Sequence, residues 1–195
     1  GIALADIVTI ALGRKAAAAG ADGLVAVSSG AGGHTGQLSP FAFVSAIREF
    51  FDGIVCVGGG ISDGAGVAGA VAAGADLVYM GTRFLAAEES MAADDYKDMV
   101  VSSDATDLIV SAGVTGTPAS WLIPSLLANG YDLDDLTKPA TRNYGGDDVG
   151  TRWKDLWAAG QGIQAVKGRE PVAAIGDQLD AEFRAAKARL AAIGG

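Results

Sequence analysis

Short apolar runs alternate with alanine-rich amphipathic stretches along the first half of the chain. Three of these runs, residues 21–30, 53–60 and 75–82, carry mostly Val, Ile, Leu and Ala and contain glycine at or near their ends. Near-continuous apolar runs of this length are typical of strands buried on both faces of a parallel sheet. The pattern therefore predicts buried parallel strands that lead into glycine-rich loops.

The stretches between the runs have the composition of helices that cover such a sheet. Residues 9–20, 40–51 and 62–74 predict helices, the last with Ser62 or Asp63 as its N-cap. Strands then recur at intervals of roughly 25–30 residues, as in repeated βα units. A (β/α)8 barrel and a doubly wound sheet share this rhythm, and both place such loops at the ligand-binding ends of the strands.

Beyond residue 90 the rhythm changes. Residues 89–103 and 120–130 predict helices, residues 106–116 a strand with its loop, and residues 131–150 a polar, acidic loop. From residue 170 onward, apolar residues at helical spacing predict a helix that packs on the surface. These changes divide the chain into a barrel portion, a small, mostly helical or loop region, and a C-terminal segment that packs back on the barrel: residues 1–103, 104–150 and 151–195.

Composition narrows the range of partners. Half of the residues are hydrophobic and the net charge is −9, so phosphate backbones are repelled and nucleic acid is not an expected partner. The single cysteine, Cys56, lies inside an apolar run, where we expect a small buried hydrophobe. We expect a cytoplasmic protein without a membrane span, because the most apolar stretch, residues 65–85, is interrupted by Gly74, Asp76 and Gly81.

Two neighbouring strand ends carry the strongest binding signal. Gly59 and Gly60 end one strand, and Gly81 and Thr82 end the next strand along the chain. Glycine lets main-chain N–H groups approach a ligand closely, and adjacent loops of this kind hold phosphate in barrel enzymes. The pair therefore predicts a phosphate site, to which Thr82 adds a hydroxyl. Arg83 either assists the phosphate or forms a surface ion pair.

The only histidine, His34, lies in the segment SSGAGGHTG, residues 28–36. Its neighbours have almost no side chains, which leaves room for a flat ligand. Because an imidazole accepts a proton near neutral pH, His34 is a candidate general base. The alternative is a loop histidine without a chemical role. The composition offers no Cys/His ligand set, so we predict no metal site.

Three of these segments together resemble a known family. The segment GAGGHTG resembles the Ala-Gly-Gly-His-x-Gly signature of nitronate monooxygenases, formerly called 2-nitropropane dioxygenases. The stretch from residue 58 to residue 90 is similar to FMN-binding barrel enzymes in general, and WAAGQGI, residues 157–163, resembles the family's C-terminal Ala-Gly-Gln segment. The resemblance extends over nearly the whole chain, with the motifs in the family's order.

The resemblance implies an FMN-dependent (β/α)8 barrel that oxidises nitroalkanes or alkyl nitronates with O2. It makes His34 the base that removes a proton from the nitroalkane carbon. It also implies that Gly32 and Gly33 face the flavin and that Gln161 approaches the ring region. The FMN phosphate would be held by the residues of the two strand ends, Gly59, Gly60, Gly81 and Thr82.

The chain departs from the family in two respects. Ser29 and Gly30 stand where many relatives have a Glu before the signature. A complete barrel has about 250 residues, and only four or five strands are predicted here. We therefore expect the C-terminal strands and helices of a barrel. The barrel either lacks an N-terminal portion here or is a half that pairs with a partner, for example in a homo-oligomer.

Other functions are compatible with these residues. The same scaffold supports a flavin-dependent enoyl reductase or an NAD(P)H:quinone reductase. A non-catalytic half-barrel that holds no flavin is the alternative from a different class. An IMP dehydrogenase-like activity is disfavoured, because it requires a loop cysteine and Cys56 lies within a predicted strand.

Overall fold

The computed structural model describes residues 1–137 and 154–193. The remainder of the predicted acidic loop, from residue 138, and Trp153 lie outside the described residues. The strands run as follows: β1 (Leu4–Ile7), β2 (Gly23–Val27), β3 (Gly33–His34), β4 (Ile54–Gly58), β5 (Leu77–Tyr79), β6 (Leu108–Ser111) and β7 (Ala119–Leu122). The helices used below are α1 (Ile10–Ala18), α2 (Pro40–Arg48), α3 (Gly64–Ala72), α4 (Thr82–Leu85), α5 (Asp94–Ser102), α6 (Ile123–Ala128) and α7 (Val172–Ile193).

The main sheet has four parallel strands in the order β1-β2-β4-β5. Each strand is added to the same edge, whereas a doubly wound sheet reverses direction at a switch point. Right-handed crossovers then place α1, α2 and α3 side by side on one face, and these helices contact one another in sequence. This is the wall of a barrel, and the sequential order decides between the two folds that the βα rhythm leaves open.

The hydrophobic core lies between the sheet and these three helices. Leu24, Ala26, Val55 and Val57 face the helices and are fully buried, packed against Phe43 and other residues of α2. On the opposite face, Leu77 and Tyr79 of β5 are 51% and 61% exposed. The described sheet is therefore an open part of a barrel, with its inner face partly uncovered.

A second sheet covers the carboxyl ends of the parallel strands. It is antiparallel, in the order β3-β7-β6, and it joins the histidine loop to residues 108–122. Trp121 of β7 is fully buried in a cluster with Val114 and Leu126. Trp121 therefore packs in the core, whereas Trp157 stacks on Tyr96 with ring centroids 5.0 Å apart.

The structure corrects the sequence-based elements in several places, one of which is strand β3 within the predicted histidine loop. Residues 120–130 are not one helix: strand β7 runs to Leu122, and α6 begins at Ile123 with a proline in its first turn. Strand β1 was not predicted, because Asp6 interrupts its apolar pattern. The other predicted helices and strands are confirmed, including the surface helix α7, which packs against α3. The division at residues 103 and 150 stays a prediction. Within the described ranges, no helix is both long and apolar enough to span a bilayer.

Candidate functional site

A cavity of about 550 Å³ opens at the carboxyl ends of the parallel strands. This volume lies within the range of about 300–1,000 Å³ that is usual for small-molecule and cofactor sites. All but one of the residues predicted for the site line it: Gly32, Gly33, His34, Gly59, Gly60, Gly81 and Thr82. Loops that are far apart in the sequence therefore meet at one cavity, as expected for adjacent parallel strands.

His34 is held on the cavity wall by pairing of its main chain. It forms β3 with Gly33, opposite Ala119 and Ser120 of β7, and the next residue, Thr35, donates its N–H to Pro118 O at 3.2 Å. The Thr35 hydroxyl also donates to Ser28 O at 3.0 Å, which closes the loop at its base. The imidazole is exposed at the cavity, where it can reach a bound molecule.

Gly30 joins three parts of the rim, and sequence reasoning missed it as a site residue. Its carbonyl accepts hydrogen bonds from Gly60 N at 3.1 Å and from Gln161 N at 2.9 Å. Its φ of +87° is a conformation that residues with side chains rarely adopt. A Cβ added there would lie 2.9 Å from Gln161 Oε1. Gly30 is one of the two positions where this chain departs from the relatives that have a Glu before the signature, and the rim requires a glycine at this position.

Bare main chain forms the part of the wall predicted to hold a phosphate. A Cβ added at Gly33 or Gly81 would meet no atom within 4 Å, so each of these glycines has open space beside it. In the described part of the chain, the N–H groups of Gly59 and Gly81 donate to no protein acceptor and remain available to a ligand. The Gly60 N–H is already used by Gly30. These open glycines and available donors fit the phosphate of a flavin mononucleotide.

Thr82 connects this wall to the C-terminal segment. Its hydroxyl accepts a hydrogen bond from Gly160 N at 2.9 Å, and its own proton is left for another acceptor. Ser120 of β7 holds the same segment through Ala159 O at 2.8 Å. Residues 159–160 therefore brace the cavity from one side.

Two predicted residues have roles other than a simple flavin contact. Gly32 lines the cavity, but a Cβ there would lie 2.7 Å from the Ala159 carbonyl carbon and the Gly160 nitrogen. Close packing against residues 159–160 is therefore the reason why Gly32 lacks a side chain. Gln161 does not line the main cavity and faces a smaller neighbouring one of about 310 Å³, beyond the Gly59–Gly60 loop. Its main chain fixes Gly30, as described above.

Besides Tyr79 of β5, two ionisable residues that line the cavity were not predicted. Asp6 lies on the inner face of β1, and Tyr96 reaches the cavity from α5. Tyr96 donates its hydroxyl proton to Ala158 O, and burial raises the pKa of this phenol above its usual value. Both lie outside glycine-rich motifs, so no local signal in the sequence marked them.

Arg83 does not form the surface ion pair considered from the sequence. Its side chain is 2% exposed, and Nη1 lies 3.0 Å from Glu170 Oε2. It does not line the cavity either, because it extends behind the wall toward α7. Neither of the two simple roles describes it.

The first turn of α3 is occupied by the protein's own carboxylates. Asp63 accepts from Gly66 N at 2.6 Å, and Glu182 of α7 accepts from Gly64 N at 2.8 Å. The Gly64 hydrogen bond is the main cause that holds the pKa of Glu182 below its usual value, with help from Gln178 and Arg83. The N–H groups of Gly64 and Gly66 are therefore already used and are not available to a ligand at this helix end.

Cys56 takes no part in the site. It is buried in β4, and burial raises the pKa of its thiol, with a smaller contribution from the Asp6 carboxylate. The thiol stays protonated at neutral pH, in agreement with the predicted hydrophobic role. Across residues 1–137 and 154–193, no group of three or more metal-ligating side chains comes together.

The chain is similar to known proteins along most of its length. It is 33% identical over 161 residues to a probable nitronate monooxygenase of Staphylococcus saprophyticus, a match that covers 72% of this chain and 45% of that protein. It is 37% identical over 105 residues to a (3aS,4S,5R,7aS)-5-hydroxy-7a-methyl-1-oxo-octahydro-1H-indene-4-carboxyl-CoA dehydrogenase of Rhodococcus jostii, covering 54% of this chain and 30% of that one. The chain therefore spans less than half the length of these relatives.

Among solved structures, the fold matches a nitroalkane oxidase from Streptomyces ansochromogenes with a TM-score of 0.74 and 28% identity. The match covers 97% of this chain and 59% of that one, so the described elements are part of a TIM-barrel-type fold. The model of the nitronate monooxygenase family matches residues 1–175. The sequence motifs, the parallel sheet and this match agree, and the chain belongs to the nitronate monooxygenase family.

Proposed function

We propose that this chain supplies the cofactor-binding and proton-abstracting part of an FMN-dependent enzyme that oxidises nitroalkanes or alkyl nitronates with O2. The observation that carries the proposal is the meeting of His34 and the glycine loops at one cavity. Membership in the family and the similarity to a nitroalkane oxidase support flavin-dependent oxidation. The proposal includes small-molecule substrates and a cytoplasmic location.

Different residues of the rim bind the cofactor and carry out the proton transfer. Gly59, Gly81 and Thr82 donate hydrogen bonds to the FMN phosphate, and Gly33 leaves space for the ring. When bound, FMN supplies the two-electron chemistry that lets O2 act as the final oxidant. His34 accepts the proton from the carbon beside the nitro group, which general bases accelerate by about 10²–10⁴-fold. An alkyl nitronate has already lost this proton, so His34 only positions it.

This difference between substrates gives the test. In His34→Asn, turnover of a neutral nitroalkane falls by about 10²-fold or more, while turnover of the preformed nitronate falls far less. Oxygen uptake with each substrate measures both rates, and FMN absorbance shows that the cofactor is still bound. Gln37→Ala is the matched control, because Gln37 is exposed in the same loop and does not line the cavity. Unchanged turnover of the neutral substrate in His34→Asn would refute the role of the histidine.

A second candidate uses the same cofactor in a dehydrogenase or reductase, with an enoyl or quinone substrate or a CoA thioester. The similarity to the Rhodococcus jostii CoA dehydrogenase favours it. No Lys or Arg lines the cavity among the described residues, so a phosphate there is held by main-chain donors and Thr82 and not by an ion pair. Anaerobic bleaching of the flavin by NADH without turnover of nitroalkanes would select this candidate.

A further inference from the structure

Arg83 follows the proposed phosphate-binding residues directly but turns away from the cavity. Its Nη1 pairs with Glu170 Oε2 at 3.0 Å, and its Nη2 donates to Gln178 Oε1 at 2.9 Å. A buried guanidinium is expensive to desolvate unless such partners hold it. The side chain is 2% exposed, so removing these partners leaves an uncompensated buried charge.

The polar contacts continue across α7 to the other glycine loop. Gln178 Nε2 donates to Glu182 Oε1 at 2.7 Å, and Glu182 Oε2 accepts from Gly64 N at 2.8 Å. Gly64 begins α3, which follows the loop of Gly59 and Gly60. A single series of hydrogen bonds therefore connects the loop after β5 with the loop after β4, and it runs through α7.

The helix α7 is held in return by the segment that follows α4. Glu89 accepts from Val172 N at 2.9 Å, at the first residue of α7, and Glu88 N donates to Glu170 O at 3.0 Å. Lys97, itself buried, donates to Ala87 O at 2.8 Å and fixes the same segment. The position of α7 and the shape of the loop after β5 thus depend on each other.

We propose that Arg83 is a positioning residue for the phosphate loops and that it acts through α7. The inference rests on the proposed function, because it assumes that Gly59, Gly81 and Thr82 bind the phosphate of FMN. Direct contact with the phosphate is excluded by the geometry, since Arg83 does not line the cavity and two of its three nitrogens are engaged by Glu170 and Gln178. Binding of the phosphate and docking of α7 are then linked, each strengthening the other.

Riboflavin, which has the ring of FMN but no phosphate, isolates this effect. The preference of the protein for FMN over riboflavin is measured by fluorescence titration with each flavin. In Arg83→Met, Glu170→Gln and Gln178→Ala, this preference falls by about tenfold, while riboflavin affinity is unchanged. Arg83→Lys keeps the charge but not the planar guanidinium that contacts Glu170 and Gln178 at the same time, and it therefore keeps part of the preference. Gln178 is exposed and neutral, so Gln178→Ala leaves the Arg83–Glu170 ion pair intact and folds even where Arg83→Met or Glu170→Gln does not.

Arg184→Met is the matched control, because Arg184 lies on the same helix and makes only an exposed ion pair with Asp180. It keeps the full preference for FMN. Variants of the series that bind both flavins more weakly by the same factor would overturn the inference, because loss of general stability has that signature. A wild-type protein that binds flavin without preferring FMN would overturn the phosphate site itself. A preference for FMN that the variants retain would instead overturn only the role of Arg83.

Discussion

The loop after β2 and the loops after β4 and β5 meet at one cavity, but different parts of the molecule hold them. The β2 loop carries His34 and is held within the rim, by β7 and by the carbonyl of Gly30. The other two loops offer bare main chain and are held from behind by α7. The proposed proton abstraction and the proposed phosphate binding thus depend on different supports, and we expect that each can be damaged alone.

We expect the largest effect from substitution of Trp121, which supports the β2 loop. It is fully buried in β7, the strand that pairs with β3. Replacement by alanine leaves a cavity and lowers the free energy of unfolding by about 3–5 kcal/mol. Urea denaturation measures this loss. Below the transition, turnover falls more than the preference for FMN over riboflavin, and a fall only in that preference would contradict the separation of the two supports.

Gly30 is one point where the two supports touch, and Gly160, which contacts both Gly32 and Thr82, is another. Gly30→Ala forces a side chain into φ of +87°, at a cost of about 1–3 kcal/mol of folding free energy. Because the Gly30 carbonyl holds both Gly60 N and Gln161 N, FMN affinity and turnover both fall in this variant. The unfolding midpoint, the FMN affinity and the turnover are measured on the same variant. Full stability in Gly30→Ala would show that the backbone of this rim differs from the one described.

Substitution of Gly81 tests the proposed phosphate-binding wall, because a side chain at this position needs no unusual backbone conformation. Its φ is −108°, and a side chain there would extend into open space. Gly81→Val therefore lowers FMN affinity by about tenfold, equivalent to about 1.4 kcal/mol, with little change in the unfolding midpoint. Gly168→Ala is the control, because Gly168 also has open space around it but does not line the cavity. Equal FMN affinity in the two variants would remove Gly81 from the site.

The smallest effect concerns acid stability at the base of the barrel wall. The N–H of Val55 and then Arg48 hold the pKa of Asp76 below its usual value. A lowered folded-state pKa contributes stability above the unfolded pKa, near 4, and this stability is lost as pH falls through the folded value. Asp76→Asn is thus less stable than the wild type at pH 7, and the difference narrows below pH 4. A difference that is constant with pH would contradict this assignment.

The sequence predicts the parallel part of the fold well, because its signals are local. The apolar runs of β2, β4 and β5 and the glycines after them are visible without knowing the tertiary structure. The second sheet is different: β3 has only two residues, and it exists because Ala119 and Ser120 lie opposite them. Pairing of residues so far apart in the chain leaves no local pattern, so β7 was included in a predicted helix.

The candidate site shows the same division. Glycine motifs identified the open wall and His34, but not the reasons for each glycine. Gly32 lacks a side chain because residues 159–160 pack against it, and Gly30 because its φ is +87° and a Cβ there would lie 2.9 Å from Gln161 Oε1. Asp6 and Tyr96 reach the cavity from a strand and a helix, so only the assembled structure reveals them. The partners of Arg83 are likewise distant in sequence.

The single histidine allows the central claim to be tested directly. The proton NMR signal of the imidazole C2–H belongs to His34 alone, because no other histidine is present. We predict that FMN shifts this signal in a saturable way, because the flavin ring lies beside the imidazole, and that inorganic phosphate alone leaves it in place. FMN that binds without moving the His34 signal, or no saturable binding of FMN, would contradict the account.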